Sequence, residues 1–118
     1  MFALTPQQES LKAAARELAQ GEFAPRAAEV DRTEEYPWNN VERLTEAGFM
    51  GMTIPTEYGG KGASYLEATL VIEEMAKACG TSGRITVEAN MGAIGAVMKY
   101  GSEAQKRLAA ELVLSGDK

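Results

Sequence analysis

The sequence predicts an all-α fold, a compact bundle of about five to six helices. Three segments match the capping box, in which Ser or Thr stands three residues before Glu or Gln at a helix start; they begin at Thr5, Ser64 and Ser102. Apolar residues then recur every three or four positions, and no stretch alternates convincingly as a strand does. With 118 residues and 45% apolar content, the chain is long enough for one domain with its own core.

Composition and charge exclude several classes of function. The 17 acidic and 12 basic residues give a net charge of −5, which argues against binding to nucleic acid. No run approaches the ~20 apolar residues of a membrane-spanning helix. Histidine is absent, which excludes a Ser-His-Asp triad and a His-ligated metal site, and we predict no metal site. The single Cys79 excludes an internal disulfide and is best interpreted as a small buried hydrophobe. The N-terminus shows no signal-peptide pattern.

The first two helices are delimited by their prolines and glycines. Thr5 caps the first helix, Gly21 weakens it, and Pro25 ends or kinks it, with a helical continuation over 24–31. A loop is expected over 32–36. Pro37 is expected at the first position of the second helix, with Gly48 as its stop. The inward positions of these helices are Leu11, Ala15, Leu18, Val41, Leu44 and Ala47.

Residues 49–62 are expected to connect helices. Phe49 to Ile54 is either extended or a buried connector. In the loop from Ile54 to Gly62, proline fixes φ and adjacent glycines admit positive φ, so its shape is dictated. This loop either carries function or only turns a corner, and the second interpretation is favoured. Gly60-Lys61-Gly62 resembles part of a phosphate loop but lacks the upstream glycine and the following Ser or Thr.

Three more helices are predicted beyond this loop. One spans Ser64 to Cys79 and is ended by Gly80; another runs from about Arg84 to Tyr100; the last begins at Ser102 and ends near Ser115. Glu73 and Glu74 are adjacent, so they diverge on a helix and form no catalytic pair; Glu73 is placed to pair with Lys77 on a solvated face. Three methionines are expected to fill the core: Met50, Met52 and Met75.

The predicted fourth helix contains the candidate binding site. Gly92 and Gly95 would lie inside it, where each costs about 1 kcal/mol relative to alanine. With nearby alanines they leave little side-chain volume, which permits either close helix packing or a ligand. Glu88 lies one turn before Gly92, and its carboxylate either faces solvent or lies at the base of a pocket. The residues alone favour solvent.

Seven segments, in this order and spacing, resemble the N-terminal helical domain of the acyl-CoA dehydrogenase superfamily. The resemblance covers essentially the whole chain. The segments are Leu4-Thr5-Pro6-Gln7-Gln8, Asp31-Arg32-Thr33 before Tyr36-Pro37, Glu46-Ala47-Gly48-Phe49, Ile54-Pro55-Thr56-Glu57-Tyr58-Gly59-Gly60, Val71-Ile72-Glu73-Glu74-Met75-Ala76, Val87-Glu88-Ala89-Asn90 and Tyr100-Gly101-Ser102-Glu103-Ala104-Gln105-Lys106.

The resemblance implies that residues 1–118 form the first of three domains, before a middle β-domain and a C-terminal helical domain. It implies a bacterial cytoplasmic homotetramer that carries FAD and performs α,β-dehydrogenation of an acyl-CoA, with electron-transfer flavoprotein as acceptor. FAD and the catalytic base would be held mainly outside this chain, so the chain alone is expected to be inactive and to contain no catalytic or cofactor-binding residue. Glu88, Ala89 and Gly92 match positions that line the acyl pocket.

Two alternatives remain open at this point. The segment from Ala78 to Thr86 differs from common β-oxidation members and is more similar to a branch containing acyl-CoA desulfinases, which release sulfite without net oxidation. The chain could also be an autonomous helical interaction module. Sequence downstream of Lys118 would discriminate the last alternative, since the family has a flavin-binding loop there.

Overall fold

The computed structural model describes residues 3–117, and every regular element in that range is helical. The all-α prediction is confirmed. The α-helices are α1 (Pro6–Leu18), α2 (Ala27–Thr33), α3 (Trp38–Glu46), α4 (Tyr65–Ala78), α5 (Gly80–Asn90), α6 (Ala93–Tyr100) and α7 (Glu103–Ser115). Three shorter helical segments accompany them: the π-helical Ala19–Phe23 and the 3₁₀ turns Ala24–Arg26 and Thr56–Tyr58. The predicted domain also includes Met1, Phe2 and Lys118, which lie outside the described residues.

All three predicted capping boxes are present. The hydroxyl oxygens of Thr5, Ser64 and Ser102 accept the backbone N–H three residues later, at 3.2, 3.2 and 3.3 Å. The side chains at those later positions accept the N–H of the capping residue in return. Each box satisfies two backbone donors that a helix start otherwise leaves unpaired. The sequence therefore fixes the starts of α1, α4 and α7.

The break predicted near Gly21 and Pro25 takes the form of a change in helical pitch. After α1 the chain continues through the π turn and then the 3₁₀ turn that contains Pro25, and α2 follows without a loop. The π turn contains Phe23, which is fully buried. Helix α2 ends where Glu34 adopts a left-handed conformation with φ of 57°.

The prediction of a single helix over 84–100 is wrong. Helix α5 begins directly after the extended Cys79 and ends at Asn90, and α6 starts at Ala93. The buried Asn90 amide nitrogen donates to the carbonyl oxygens of Phe49 and Thr86, at 2.9 Å each, and its side-chain oxygen accepts the N–H of Met52 at 2.7 Å. These bonds attach the buried connector after α3 to the end of α5. Gly92 therefore lies between two helices, whereas Gly95 lies inside α6.

Helix α4 packs against α1 on one side and α5 on the other. Its core side chains Val71 and Met75 are fully buried. Cys79 is buried, as expected of a small hydrophobe, and the predicted core methionines at 50, 52 and 75 are buried as well. The described part of the chain measures 41 × 40 × 21 Å, so the helices form a layer about half as thick as it is wide.

Glu73 lies on a solvated face, as predicted, whereas its neighbour Glu74 is buried. Glu73 is half-exposed and its carboxylate lies 3.3 Å from the Lys77 ammonium, as the four-residue spacing indicates. The Glu74 side chain is only 1% exposed. Between residues 3 and 117 the structure has no helix with the length and apolar character needed to span a bilayer.

Candidate functional site

A cavity of about 380 Å³ opens between α5, α6 and α7. This volume lies within the usual range of small-molecule sites. Helix α5 contributes one wall, α6 and α7 contribute the opposite walls, and the segments flanking α3 close one side. The lining residues are Tyr36, Met50, Arg84, Ile85, Glu88, Ala89, Ala93, Ile94, Val97, Ala109 and Val113. The cavity is therefore largely apolar, with charged side chains on one wall.

The charged side chains on that wall form an ion pair along α5. The Arg84 guanidinium lies 2.6 Å from a carboxylate oxygen of Glu88, one helical turn later. Arg84 is 74% exposed and Glu88 39% exposed, so the pair lies where the cavity meets solvent. An exposed pair at this spacing contributes only about 0.3–0.5 kcal/mol to helix stability.

Glu88 makes a second contact that joins α5 to α6. Its other carboxylate oxygen accepts the backbone N–H of Ala93 at 3.0 Å, where α6 begins. A carboxylate at this end of a helix is favoured by the helix dipole and by the unpaired N–H groups. A Cβ atom added to Gly92 would lie 2.1 Å from that oxygen, so glycine leaves the space that the carboxylate occupies.

The three residues predicted to line a pocket lie close together, with different surroundings. Glu88 and Ala89 line the cavity. Gly92 lies at the break between α5 and α6, against the Glu88 carboxylate. Glu88 is neither fully solvated nor at the floor of the cavity: it is half-buried at the edge and bonded to two neighbours. Their role in binding an acyl group stays a prediction.

Sequence reasoning did not identify Arg84 as a site residue. Tyr36, Met50 and Ala109 also line the cavity from segments far apart in sequence. One signal for Arg84 was present, because it stands four residues before Glu88, the spacing of a helical ion pair. The predicted helix over 84–100 already contained both residues, so this signal was available in the sequence.

The loop over 54–62 turns the chain between the connector after α3 and the start of α4. Gly59 and Gly62 have φ of 92° and 62°. A Cβ atom on Gly60 would lie 2.0 Å from the Ile54 carbonyl oxygen, so the backbone approach excludes a side chain there. The Lys61 ammonium donates to the Gly48 carbonyl oxygen at 2.9 Å. The loop is thus held against the end of α3.

The same contacts decide whether this part of the chain fits the FAD that the resemblance implies. A phosphate cradle needs free backbone N–H groups and a free cation. Here the N–H groups of Gly60 and Gly62 donate to the carbonyl oxygens of Pro55 and Ile54, at 3.2 and 2.9 Å, and Lys61 is also bonded to backbone. This loop therefore does not fit a cofactor phosphate, and no chemical step at a flavin is assigned to residues 3–117.

The fold is a helical layer with a cavity between its last three helices. Residues 5–117 match the family model for the acyl-CoA dehydrogenase N-terminal domain. The chain belongs to this family. The family resemblance noted in the sequence is confirmed.

Two relatives and one solved structure show which proteins this chain is similar to. The chain is 66% identical over 118 residues to 3-sulfinopropanoyl-CoA desulfinase of Variovorax paradoxus, covering 100% of this chain and 30% of that protein. It is 36% identical over 117 residues to the short-chain specific acyl-CoA dehydrogenase of Clostridium acetobutylicum, covering 99% of this chain and 31% of that protein. Butyryl-CoA dehydrogenase from Megasphaera elsdenii has a similar structure, with a TM-score of 0.84 at 25% identity over 100% of this chain and 32% of that one. The chain spans about 30% of the desulfinase's length.

Proposed function

We propose that this chain forms one wall of the acyl site in an enzyme that releases sulfite from a short acyl-CoA bearing a sulfinate. The observation that carries the proposal is Arg84, a cation paired with Glu88 at the edge of a largely apolar cavity. The 66% identity to a protein named 3-sulfinopropanoyl-CoA desulfinase supports the same substrate class. The cavity then receives the acyl chain, and Arg84 receives its charged end.

The chemistry of a sulfinate suits this arrangement. A sulfinate is an anion with two oxygens on one centre, and a planar guanidinium can donate to both at once. The two methylene groups between the thioester carbonyl and the sulfinate are apolar and would contact Ile85, Ile94 and Val97. Ala89 leaves room for it on α5. An uncharged acyl group would use the apolar walls but leave the Arg84 cation without an anionic ligand.

The second candidate is the α,β-dehydrogenation of a short, uncharged acyl-CoA. The 36% identity to a short-chain specific acyl-CoA dehydrogenase favours it. In both cases we propose a bacterial cytoplasmic flavoenzyme in which FAD and the catalytic base belong to a middle β-domain and a C-terminal helical domain. It would assemble as a homotetramer, and only a dehydrogenase would need electron-transfer flavoprotein. The chain alone would then be inactive. A stand-alone interaction module gains no support from a cavity of this kind.

The decisive experiment uses the flavin-loaded enzyme that carries this domain. Sulfite release from 3-sulfinopropanoyl-CoA and flavin reduction by butanoyl-CoA are measured for the wild type and for Arg84→Met. Hydrogen bonds to a charged group contribute about 1.5–3 kcal/mol, so kcat/KM for the sulfinate thioester should fall about 10- to 100-fold. The value for butanoyl-CoA should change less than about threefold, because no anion is lost there.

Arg107→Met is the matched control. Arg107 is an exposed arginine on α7 whose guanidinium lies over the Tyr58 ring and does not line the cavity. It should leave both substrates unaffected. Equal losses on both substrates after Arg84→Met, or flavin reduction by butanoyl-CoA with no sulfite release by the wild type, would contradict the sulfinate proposal and leave dehydrogenation in its place.

A further inference from the structure

We infer that Glu88 is a positioning residue for Arg84, and that Gly92 is required because it makes room for the Glu88 carboxylate. This inference rests on the proposed function of Arg84. It differs from the expectation that Glu88 is a simple lining residue, because Glu88 would act through the arginine. The two contacts of its carboxylate carry the inference.

The first contact limits the direction of Arg84. A free arginine side chain that is 74% exposed samples many rotamers, and holding it costs side-chain entropy. The Glu88 carboxylate lies 2.6 Å from the guanidinium on the same face of α5 and forms an ion pair with it. The arginine is thereby held over the cavity wall, with other N–H groups of its planar fork free for an anion.

The second contact limits the direction of Glu88 itself. The carboxylate oxygen that does not touch Arg84 accepts the N–H of Ala93 at 3.0 Å. Ala93 is the first residue of α6, a helix that forms another wall of the cavity. The Arg84 guanidinium is therefore connected, through the Glu88 carboxylate and the Ala93 N–H, to two helices that line the same cavity.

Gly92 offers an independent test of this series. A Cβ atom at position 92 would lie 2.1 Å from the Glu88 oxygen that accepts from Ala93, and 2.8 Å from its carboxyl carbon. Gly92→Ala therefore forces the carboxylate to move while its charge is retained. Glu88→Gln does the opposite, since it removes the charge and retains nearly the same shape.

If Glu88 acts through its charge, its substitution should favour a sulfinate substrate; if it acts by positioning Arg84, its substitution should disfavour that substrate. If Glu88 only placed a negative charge near the site, its removal would strengthen binding of an anionic acyl group. If Glu88 positions Arg84, its removal weakens catalysis, because small displacements of an orienting group are costly. We therefore expect both Glu88→Gln and Gly92→Ala to lower kcat/KM for 3-sulfinopropanoyl-CoA about two- to threefold, and by more than for butanoyl-CoA.

The test is a double-mutant cycle in the flavin-loaded enzyme with Arg84→Met, Glu88→Gln and the double variant. The expected result is that the double variant loses no more than Arg84→Met alone, since Glu88 acts through the arginine. Glu73→Gln is the matched control, because Glu73 forms the same i, i+4 type of pair with Lys77 on α4. Thermal unfolding of each variant shows that folding is retained.

The outcomes separate this inference from the proposed function. If Arg84→Met has no selective effect, the proposed function fails. If Arg84→Met is selective but Glu88→Gln raises kcat/KM, leaves it unchanged, or adds its full loss to that of Arg84→Met, only the positioning role is overturned. A selective loss in Glu88→Gln together with retained specificity in Gly92→Ala would likewise overturn the role assigned to Gly92.

Discussion

Glu74 is a buried carboxylate held by cations from two helices. Its oxygens accept from the Arg16 guanidinium of α1 at 3.1 and 3.2 Å, and from the Lys77 ammonium of α4 at 3.3 Å. The bonds from Arg16 lower the pKa of Glu74 more than its burial raises it. The sequence did not reveal this role, because a glutamate beside Glu73 fits an ordinary solvated face. Only the packing of α1 against α4 removes Glu74 from water.

We predict that Glu74→Gln destabilises the fold at neutral pH and has little effect in acid. A carboxyl whose folded pKa lies below its ordinary value of 4.5 contributes stability above that value and loses it as the pH falls through the folded pKa. Because Arg16 is 57% exposed, the loss at pH 7 is expected to be about 1–2 kcal/mol. Urea unfolding at pH 7 and between pH 5 and 3 measures it.

Glu73→Gln controls for this prediction, since Glu73 shares the Lys77 partner but is half-exposed. Its free energy of unfolding should change by less than about 0.5 kcal/mol at either pH. A Glu74→Gln deficit that stays constant down to pH 3 would show that the carboxylate charge is not the source of the effect.

At the candidate site, individual residues could be predicted from the sequence, but which of them lie close together is seen only in the fold. Glu88 and Ala89 were expected at an acyl pocket from the family resemblance, and both line the cavity. Arg84 was missed because a cation on a helix surface is ordinary until Tyr36, Met50 and α7 are seen to close a cavity beside it. Such long-range proximity has no local signal in one sequence.

At the scale of elements, local signals predicted three helix starts but missed the start of α5 at Gly80 and its end at Asn90. The three capping boxes fix starts through contacts within four residues. The break between α5 and α6 depends instead on Asn90, whose side chain bonds Phe49 and Met52 about 40 residues earlier. The small residues around Gly92 were expected in the interior of a helix, whereas Gly92 lies where α5 and α6 are interrupted.

Alanine substitution should have opposite effects on stability at two glycines, Gly60 in the corner loop and Gly21 in the π turn. Gly60→Ala should destabilise the protein by about 1–3 kcal/mol, because its Cβ atom would lie 2.0 Å from the Ile54 carbonyl oxygen and backbone cannot yield cheaply. Gly21→Ala in the π turn should instead stabilise it by about 0.4–1 kcal/mol, since an added Cβ atom meets nothing within 4 Å there. Chemical denaturation of both variants measures the difference; a neutral Gly60→Ala would mean that the loop shifts freely.

At the scale of the whole molecule, the thin helical layer leaves an apolar groove between α6 and α7. The groove has a volume of about 540 Å³. Its rim includes two large exposed side chains, Tyr100 at 79% and Leu108 at 59%. Val97 and Ala109 line both this groove and the candidate acyl cavity, so α6 and α7 separate the two. A surface of this kind is costly to leave in water.

We predict that the 118-residue chain, purified by itself, associates through this groove in a concentration-dependent way. Burial of exposed apolar side chains drives such association. Leu108→Lys should weaken it at least about 10-fold, because a lysine ammonium in an apolar contact loses hydration without a partner. Light scattering and sedimentation over a concentration series measure the apparent association constant.

Leu66→Lys is the matched control for this last prediction. Leu66 on α4 has an exposed fraction of 51%, similar to the 59% of Leu108, but it does not line the groove. Substituting it changes net charge and surface hydropathy by the same amount, so only a site-specific contact distinguishes the two variants. A strictly monomeric wild type at every concentration would refute the association. Equal weakening by both lysines would instead assign it to general surface hydrophobicity and not to the groove between α6 and α7.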